Sequence, residues 1–405
     1  MRYWDAVFAF LVATAVAALL TPLAGRLARR VGAIAYPSER GLAREPTPEL
    51  GGLAILAAVI LAALIWLPGT IPLERAKGEA IGRAGLVHTW PLIGGAVLIA
   101  LIGAIDDAID LQPLLKLLGQ IGAAIVAAAS GAVIKGLTLP VLGYLAFPGG
   151  GKELTVIWLV ALMNIVNFSD GVDGLAAGVC AIDGAAFAVI AFNLQGATSS
   201  AAVLAAITAG ASLGFLVHNR YPAKIFMGDA GSNLLGYLLG VAAVIGSLKT
   251  TAAFALAVPL LVLAVPFMDT GFVVAKRLKY GRKPWQADAE HFHHRMARIG
   301  FSQRKTVAYL YTWTLMLAGV ALALRFVPYS NGNGTYRLGW SIVMGVILLL
   351  AAAASVYLVY VLEIFKFKNL RTIQLRAVDP ETTEHEIVAS VARDIETGEF
   401  DAVKP

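Results

Sequence analysis

Long apolar stretches recur along the whole chain and leave little room for any fold other than a bundle of membrane helices. A helix needs roughly 17–25 mostly apolar residues to cross the hydrocarbon core of a bilayer. The composition agrees, because 58% of the residues are hydrophobic and 14% are charged, whereas soluble domains are roughly 25% charged. We therefore predict an all-α polytopic membrane protein with about 11 transmembrane helices. The predicted spans are 4–24, 51–67, 90–105, 114–130, 154–167, 175–192, 199–217, 231–247, 251–275, 306–326 and 340–362.

The lysine and arginine residues indicate the orientation, since these residues accumulate in cytoplasmic loops. With the N-terminus outside and the C-terminus inside, most of the 32 lysine and arginine residues fall in four segments on the cytoplasmic side. These segments are 25–50, 218–229, 276–305 and 363–405. The net charge of +6 follows from these loops. A nucleic-acid partner is therefore not expected.

Two segments stand apart from the apolar spans. The outer segment 131–153 combines β-branched residues with glycine and proline, which predicts a small periplasmic hairpin. After residue 365 the apolar periodicity stops and both charge signs mix. We therefore expect one transmembrane domain, 1–365, followed by a cytoplasmic tail, 366–405.

Aspartates gather at the cytoplasmic ends of the predicted helices. A single acidic residue at a helix end is usually a solvated cap. Several acidic helix ends on one face favour a shared site instead. The seven aspartates on this face are Asp106, Asp107, Asp110, Asp170, Asp173, Asp229 and Asp269, while Asp183 lies in the middle of a span.

The same face carries a basic loop that contains His291, His293 and His294. The three histidines are compatible with a zinc site, a phosphate clamp or a solvated loop, and the surrounding arginines favour anion binding. Mg²⁺ is typically held by one or two carboxylates together with substrate phosphates. Two like charges about 5 Å apart repel by roughly 3 kcal/mol at an effective dielectric of 20, so a diphosphate among carboxylates requires a divalent cation. This combination predicts phosphoryl transfer at the inner membrane surface.

Seven ordered motifs give the chain a family resemblance that covers nearly all of residues 1–365. The chain resembles the polyprenyl-phosphate N-acetylhexosamine-1-phosphate transferases, which form glycosyltransferase family 4. The motifs are PTPELGG at 46–52, GAIDDAIDL at 103–111, LKLLGQ at 115–120, NIVNFSDGVDGLAAG at 164–178, MGDAGSN at 227–233, PFMDT at 266–270 and EHFHHRM at 290–296. The resemblance implies a multi-pass enzyme of the bacterial inner membrane with a cytoplasmic active site.

The resemblance also implies a reaction and a set of site residues. A polyprenyl phosphate would attack the β-phosphorus of a UDP-N-acetylhexosamine, releasing UMP, with Mg²⁺ as cofactor and Mn²⁺ as a substitute. Asp106, Asp107 and Asp229 are the implied catalytic residues, and Asp107 and Asp229 the implied metal ligands. Because a phosphate monoester has a second pKa near 6, Asp106 is expected to position phosphate or metal rather than to remove a proton. The implied substrate-binding residues are Asn167, Asp170, Asp173, His291, His293, His294, Lys116, Arg44 and Thr47.

Several alternatives remain at this point. The HxHH pattern resembles the UDP-GlcNAc-using members of the family more than the peptidoglycan-precursor (phospho-MurNAc-pentapeptide) branch, which is the alternative. Undecaprenyl phosphate is the lipid expected from the resemblance. A transporter would place ionisable residues near the bilayer midplane, and among the acidic residues only Asp183 fits that position. A membrane scaffold without catalytic activity would not need the histidine loop. A homodimer is also expected.

Overall fold

The computed structural model describes residues 3–36, 45–72, 86–134, 136–139, 143–147, 151–195, 200–247, 263, 302–328, 337–357 and 383. These residues form ten helices and three two-stranded antiparallel sheets. The helices are α1 (Tyr3–Val31), α2 (Gly51–Trp66), α3 (Thr89–Ile109), α4 (Pro113–Ala129), α5 (Lys152–Ser169), α6 (Leu175–Gln195), α7 (Ser200–Asn219), α8 (Gly228–Ser247), α9 (Gln303–Phe326) and α10 (Leu338–Tyr357). The sheets pair β1 (Ile34–Ala35) with β2 (Thr47–Pro48), β3 (Thr70–Pro72) with β4 (Leu86–His88), and β5 (Gly136–Leu139) with β6 (Gly143–Ala146).

Within the described residues, eight helices are long and apolar enough to cross a membrane, and α2 and α4 are shorter apolar helices. Large apolar side chains on α1 face outward, among them Trp4, Phe8 and Leu19. Such exposure is what a lipid-facing surface requires. The chain is therefore a mostly helical, multi-pass membrane protein. The count of eleven spans stays a prediction, because the span at 251–275 lies outside the described residues except for Leu263.

Several helices extend beyond the apolar stretches that predicted them. The first span was predicted to end at residue 24, but α1 continues to Val31 and carries Arg29 and Arg30 in its last turn. Basic side chains near a helix C-terminus interact favourably with its dipole, so the helix need not end where the apolar residues do. A short hairpin, β5–β6, does form within segment 131–153, with Leu139 opposite Gly143. Its periplasmic location stays a prediction.

Glycines allow α2 and α3 to pack closely against the first turn of α8. A Cβ on Gly52 would overlap the backbone nitrogen of Gly231, and a Cβ on Gly103 would overlap that of Ala230. The backbone N–H groups of Gly51 and Gly52 also donate to the carbonyls of the residues that precede α8, at 3.0 and 2.9 Å. The N-terminus of α8 is thereby held between the start of α2 and the end of α3.

Candidate active site

Asp107, in the last turn of α3, caps the N-terminus of α8. Its carboxylate accepts hydrogen bonds from the backbone N–H groups of Asp229 at 2.7 Å and Ala230 at 3.2 Å. A carboxylate at this position satisfies donors that the helix cannot pair internally, and it complements the helix dipole. Gly228, the first residue of α8, has φ +67°, and a Cβ there would overlap the Asp107 carboxylate. Glycine is therefore required at residue 228.

Lys116, in the first turn of α4, joins two aspartates. Its Nζ lies 2.5 Å from Asp106 Oδ2 and 3.3 Å from Asp229 Oδ2. The second Asp106 oxygen accepts a hydrogen bond from the backbone N–H of Leu111 at 2.8 Å. Both oxygens of Asp106 are thus engaged in holding the turn between α3 and α4 and the ammonium group that follows it.

Asn167 on α5 orients the other oxygen of Asp229. Its Nδ2 donates to Asp229 Oδ1 at 2.7 Å and to Ser232 Oγ at 2.9 Å. The Asp229 carboxylate therefore has a neutral donor on one oxygen and an ammonium group near the other. Hydrogen bonds to an ionised acceptor are shorter and stronger than neutral ones, so these contacts define the direction of the carboxylate.

The three carboxylates form a group suited to a divalent cation. Oxygen atoms of Asp106, Asp107 and Asp229 all lie within 4.8 Å of one another. Hard cations such as Mg²⁺ prefer oxygen ligands and need only one or two carboxylates when phosphate supplies the rest. Each oxygen of Asp107 accepts one backbone hydrogen bond and retains a second lone pair. The donor set therefore fits a divalent cation.

A cavity of about 430 Å³ opens beside this cluster. Asp170 and Asp173 of the turn after α5 lie in its wall, together with Asn219 at the end of α7. Asp173 accepts from the backbone N–H of Ala223 at 2.9 Å, and Asn219 accepts from that of Gly174 at 3.0 Å. The wall also includes Ala35, Tyr36, Glu49, Asp107, Asn167, Gly171, Val172, Phe226, Gly228 and Asp229. The turn that carries the predicted substrate-binding residues Asp170 and Asp173 thus adjoins the carboxylate cluster.

Two carboxyl groups in the loops that line this cavity have raised pKa values. Burial, and then the negative charges of Asp229 and Asp106, raise the pKa of Glu49 from 4.5 to about 7. Burial, and then the charges of Asp229, Glu49 and Asp173, raise the pKa of Asp170 from 3.8 to about 8. Repulsion from neighbouring carboxylates is the second cause of both shifts, and a bound cation would relieve it.

The other predicted substrate-binding residues do not line the cavity or lie outside the described residues. Thr47 is buried and donates its hydroxyl hydrogen to the carbonyl of Glu45 at 2.9 Å, and it is absent from the cavity wall. Arg44, Asp269 and the three histidines His291, His293 and His294 lie outside the described residues. Their roles therefore stay predictions.

Sequence reasoning missed Glu49 and three amide side chains near the cluster. Glu49 lies inside the PTPELGG motif, but the resemblance assigned no role to it. Gln120, Asn164 and Asn233 form a continuous chain of hydrogen bonds that ends at the backbone carbonyl of Asp229. A signal for them exists, because polar side chains inside apolar helices mark interhelical contacts or sites.

Comparison with known proteins agrees with the family resemblance. A family model described as Glycosyl transferase family 4 matches residues 89–247, the segment from α3 to α8 that contains the carboxylate cluster. A protein of Bacillus subtilis (strain 168), named a probable undecaprenyl-phosphate N-acetylglucosaminyl 1-phosphate transferase, is 33% identical over 326 residues, covering 79% of this chain and 85% of that protein.

Two further relatives show the range of the similarity. The decaprenyl-phosphate N-acetylglucosaminephosphotransferase of Mycolicibacterium smegmatis is 37% identical over 352 residues, covering 80% of this chain and 82% of that protein. The phospho-N-acetylmuramoyl-pentapeptide-transferase of Desulforudis audaxviator is 31% identical over 344 residues, covering 78% of this chain and 95% of that protein. With such identity over most of both chains, this protein belongs to glycosyl transferase family 4.

Proposed function

We propose that the chain transfers N-acetylhexosamine-1-phosphate, in the form of GlcNAc-1-phosphate, from UDP-GlcNAc to undecaprenyl phosphate or a similar polyprenyl phosphate. The observation that carries the proposal is the position of Lys116, which contacts Asp106 and also Asp229, a residue of the acidic cavity wall. The names of the relatives from Bacillus subtilis and Mycolicibacterium smegmatis support the substrate class. The product would be a lipid-diphosphate sugar that initiates cell-envelope glycan synthesis.

The reaction is a displacement at phosphorus. An oxygen of the lipid phosphate forms a bond to the β-phosphorus of the donor, the bond from that phosphorus to the bridging oxygen breaks, and UMP leaves with the bonding electrons. Lys116 is 31% exposed and begins a helix whose outer face bears Leu114 and Leu118. A phosphate attached to a lipid can therefore reach the ammonium group from the apolar surface. The cavity beside Asp170 and Asp173 would hold the nucleotide sugar.

The carboxylate cluster would hold Mg²⁺ through Asp107 and Asp229, with Asp106 nearby. When bound, the cation supplies positive charge that offsets the developing charge on the phosphate oxygens. Asn167 and Lys116 keep Asp229 oriented in this arrangement. Mn²⁺ is an expected substitute, because it accepts the same oxygen ligands.

Asp106 would act by positioning Lys116 rather than by removing a proton. Both of its oxygens are engaged, with Lys116 and with the N–H of Leu111. The lipid phosphate is mostly deprotonated at pH 7, since the second pKa of a phosphate monoester is near 6. A general base is therefore not needed for the attack.

Positive charge near the cavity supports a cytoplasmic site in a bacterial inner membrane, with the N-terminus outside and the C-terminus inside. Arg29 and Arg30 end α1 shortly before Ala35 and Tyr36 enter the cavity wall. Arg220 follows the cavity residue Asn219 at the end of α7. By the positive-inside rule, this end of the bundle faces the cytoplasm.

The direct test is UMP release by purified protein supplied with Mg²⁺, undecaprenyl phosphate and one UDP-sugar at a time. UDP-GlcNAc is expected to give the fastest release, and Asp229→Asn the loss of activity. UDP-MurNAc-pentapeptide tests the peptidoglycan-precursor alternative, which the relative from Desulforudis audaxviator favours. Folded protein that released no UMP from any UDP-N-acetylhexosamine would refute the proposal. The expected homodimer is a separate prediction, which the mass of the detergent-solubilised protein would test.

A further inference from the structure

A second layer of polar side chains lies one helical turn from the carboxylate cluster, towards the middle of helices α4, α5 and α8. Asn164 Nδ2 donates to Gln120 Oε1 at 2.7 Å, and Gln120 Nε2 donates to Asn233 Oδ1 at 2.8 Å. Asn233 Nδ2 then donates to the backbone carbonyl of Asp229 at 2.9 Å. We call Gln120, Asn164 and Asn233 the amide layer. It connects α4, α5 and α8.

Each member of the amide layer shares a helix with one residue of the cluster. Gln120 follows Lys116 by four residues on α4, and Asn233 follows Asp229 by four residues on α8. Asn164 precedes Asn167 by three residues on α5, which runs in the opposite direction. Residues three or four apart lie on the same face of a helix. The amide layer and the cluster are therefore two stacked levels on the same three helix faces.

We propose that Gln120, Asn164 and Asn233 are positioning residues of the transfer reaction. Their hydrogen bonds hold α4, α5 and α8 in the register at which Lys116 and Asn167 both reach the Asp229 carboxylate. This inference rests on the proposed function, and it assigns no direct contact with substrate to the three amides.

The chemistry of the amides suits this role. Apolar side chains pack in a membrane without a strong preference for one register, whereas a hydrogen bond between helices is directional. Gln120 and Asn233 are 5% and 4% exposed, so a broken bond would leave a polar group without water to replace its partner. Amides are also neutral. They fix the helices without adding charge beside a site that binds a diphosphate and a cation.

The test compares Gln120→Met, Asn164→Leu and the double variant with the unaltered protein in the UMP-release assay. Methionine and leucine preserve side-chain length and remove the hydrogen bonds. A misplacement of about 1 Å can lower a rate about 100-fold, so each single variant is expected to lower kcat about 10–100-fold. The KM for UDP-GlcNAc should change less than about threefold. Ile125→Met, on the exposed side of α4 and further from Lys116, is the matched control, with unchanged kcat.

The double variant distinguishes positioning from general stabilisation. Both single changes break the same chain, so the double variant should be no slower than the slower single variant, whereas independent effects would multiply. Unchanged kcat per folded molecule, or losses that multiply, would overturn the inference. If Gln120→Met does not fold, Gln120→Glu is measured with the same expectation, because it keeps the acceptor for Asn164 but loses the donor to Asn233. An unaltered protein that releases no UMP from any donor refutes the proposed function instead.

Discussion

Replacing Asn167 by leucine isolates the hydrogen bond that orients Asp229. The change removes the donor to Asp229 Oδ1 at 2.7 Å and the donor to Ser232 Oγ at 2.9 Å, with little change in volume. A hydrogen bond to a charged group contributes roughly 1.5–3 kcal/mol, and a neutral one roughly 1 kcal/mol. Since about 1.4 kcal/mol is a factor of ten in rate, the charged bond alone predicts a fall in kcat/KM of about 10–150-fold.

Ser232→Ala is the matched control for this prediction. It removes two neutral bonds, the one that Ser232 accepts from Asn167 and the one that it donates to the Gly228 carbonyl, but it leaves the bond from Asn167 to Asp229. The value of kcat/KM should therefore fall by no more than about fivefold. UMP release is measured for both variants at saturating lipid, and thermal unfolding in detergent checks that both are folded. The reasoning is wrong if folded Asn167→Leu retains activity within threefold of the unaltered protein, or if Ser232→Ala is equally impaired.

The apolar pattern predicted the helices well, because membrane spans are determined by length and hydrophobicity. For example, the predicted span 199–217 differs from α7, Ser200–Asn219, by one residue at its start and two at its end. The clustering of acids was also predictable, since Asp107 and Asp229 fall at helix ends that the orientation places on one face. Those residues were expected just outside the spans, yet both lie within helical turns. Helical hydrogen bonding includes the polar last turn of α3 and the polar first turn of α8, which hydropathy does not detect.

The partners of each side chain could not be predicted from one sequence. Asp107 caps a helix that begins 121 residues later, and this contact depends on the close packing that Gly228 permits. Glu49 joins the site through a long-range contact. The backbone N–H of Phe226, before α8, donates a hydrogen bond to the carbonyl of Pro48, before α2. Long-range contacts of this kind depend on how helices pack, which local pattern does not determine.

Three further predictions concern packing, protonation and the effect of pH. Gly52→Ala should lower the unfolding temperature, because overlap with the backbone of Gly231 costs about 1–3 kcal/mol and the gain in helix propensity is about 1 kcal/mol. Gly94→Ala should not lower it, because an added Cβ there would meet nothing within 4 Å beyond the local helix backbone. Equal unfolding temperatures of the two variants would contradict this prediction. Asp106→Asn should be equally impaired at pH 6 and pH 9, whereas recovery of UMP release at pH 9 would show that Asp106 removes a proton. With the divalent cation removed by a chelator, the folded protein holds more protons on Glu49 than the unfolded protein between its ordinary pKa of 4.5 and its raised pKa of about 7. The free energy of unfolding should therefore fall as the pH rises through this interval, because stability decreases with pH wherever the native state binds more protons. Glu49→Gln should make the fall in unfolding temperature shallower, and an equal slope in both proteins would show that Glu49 is not the group responsible.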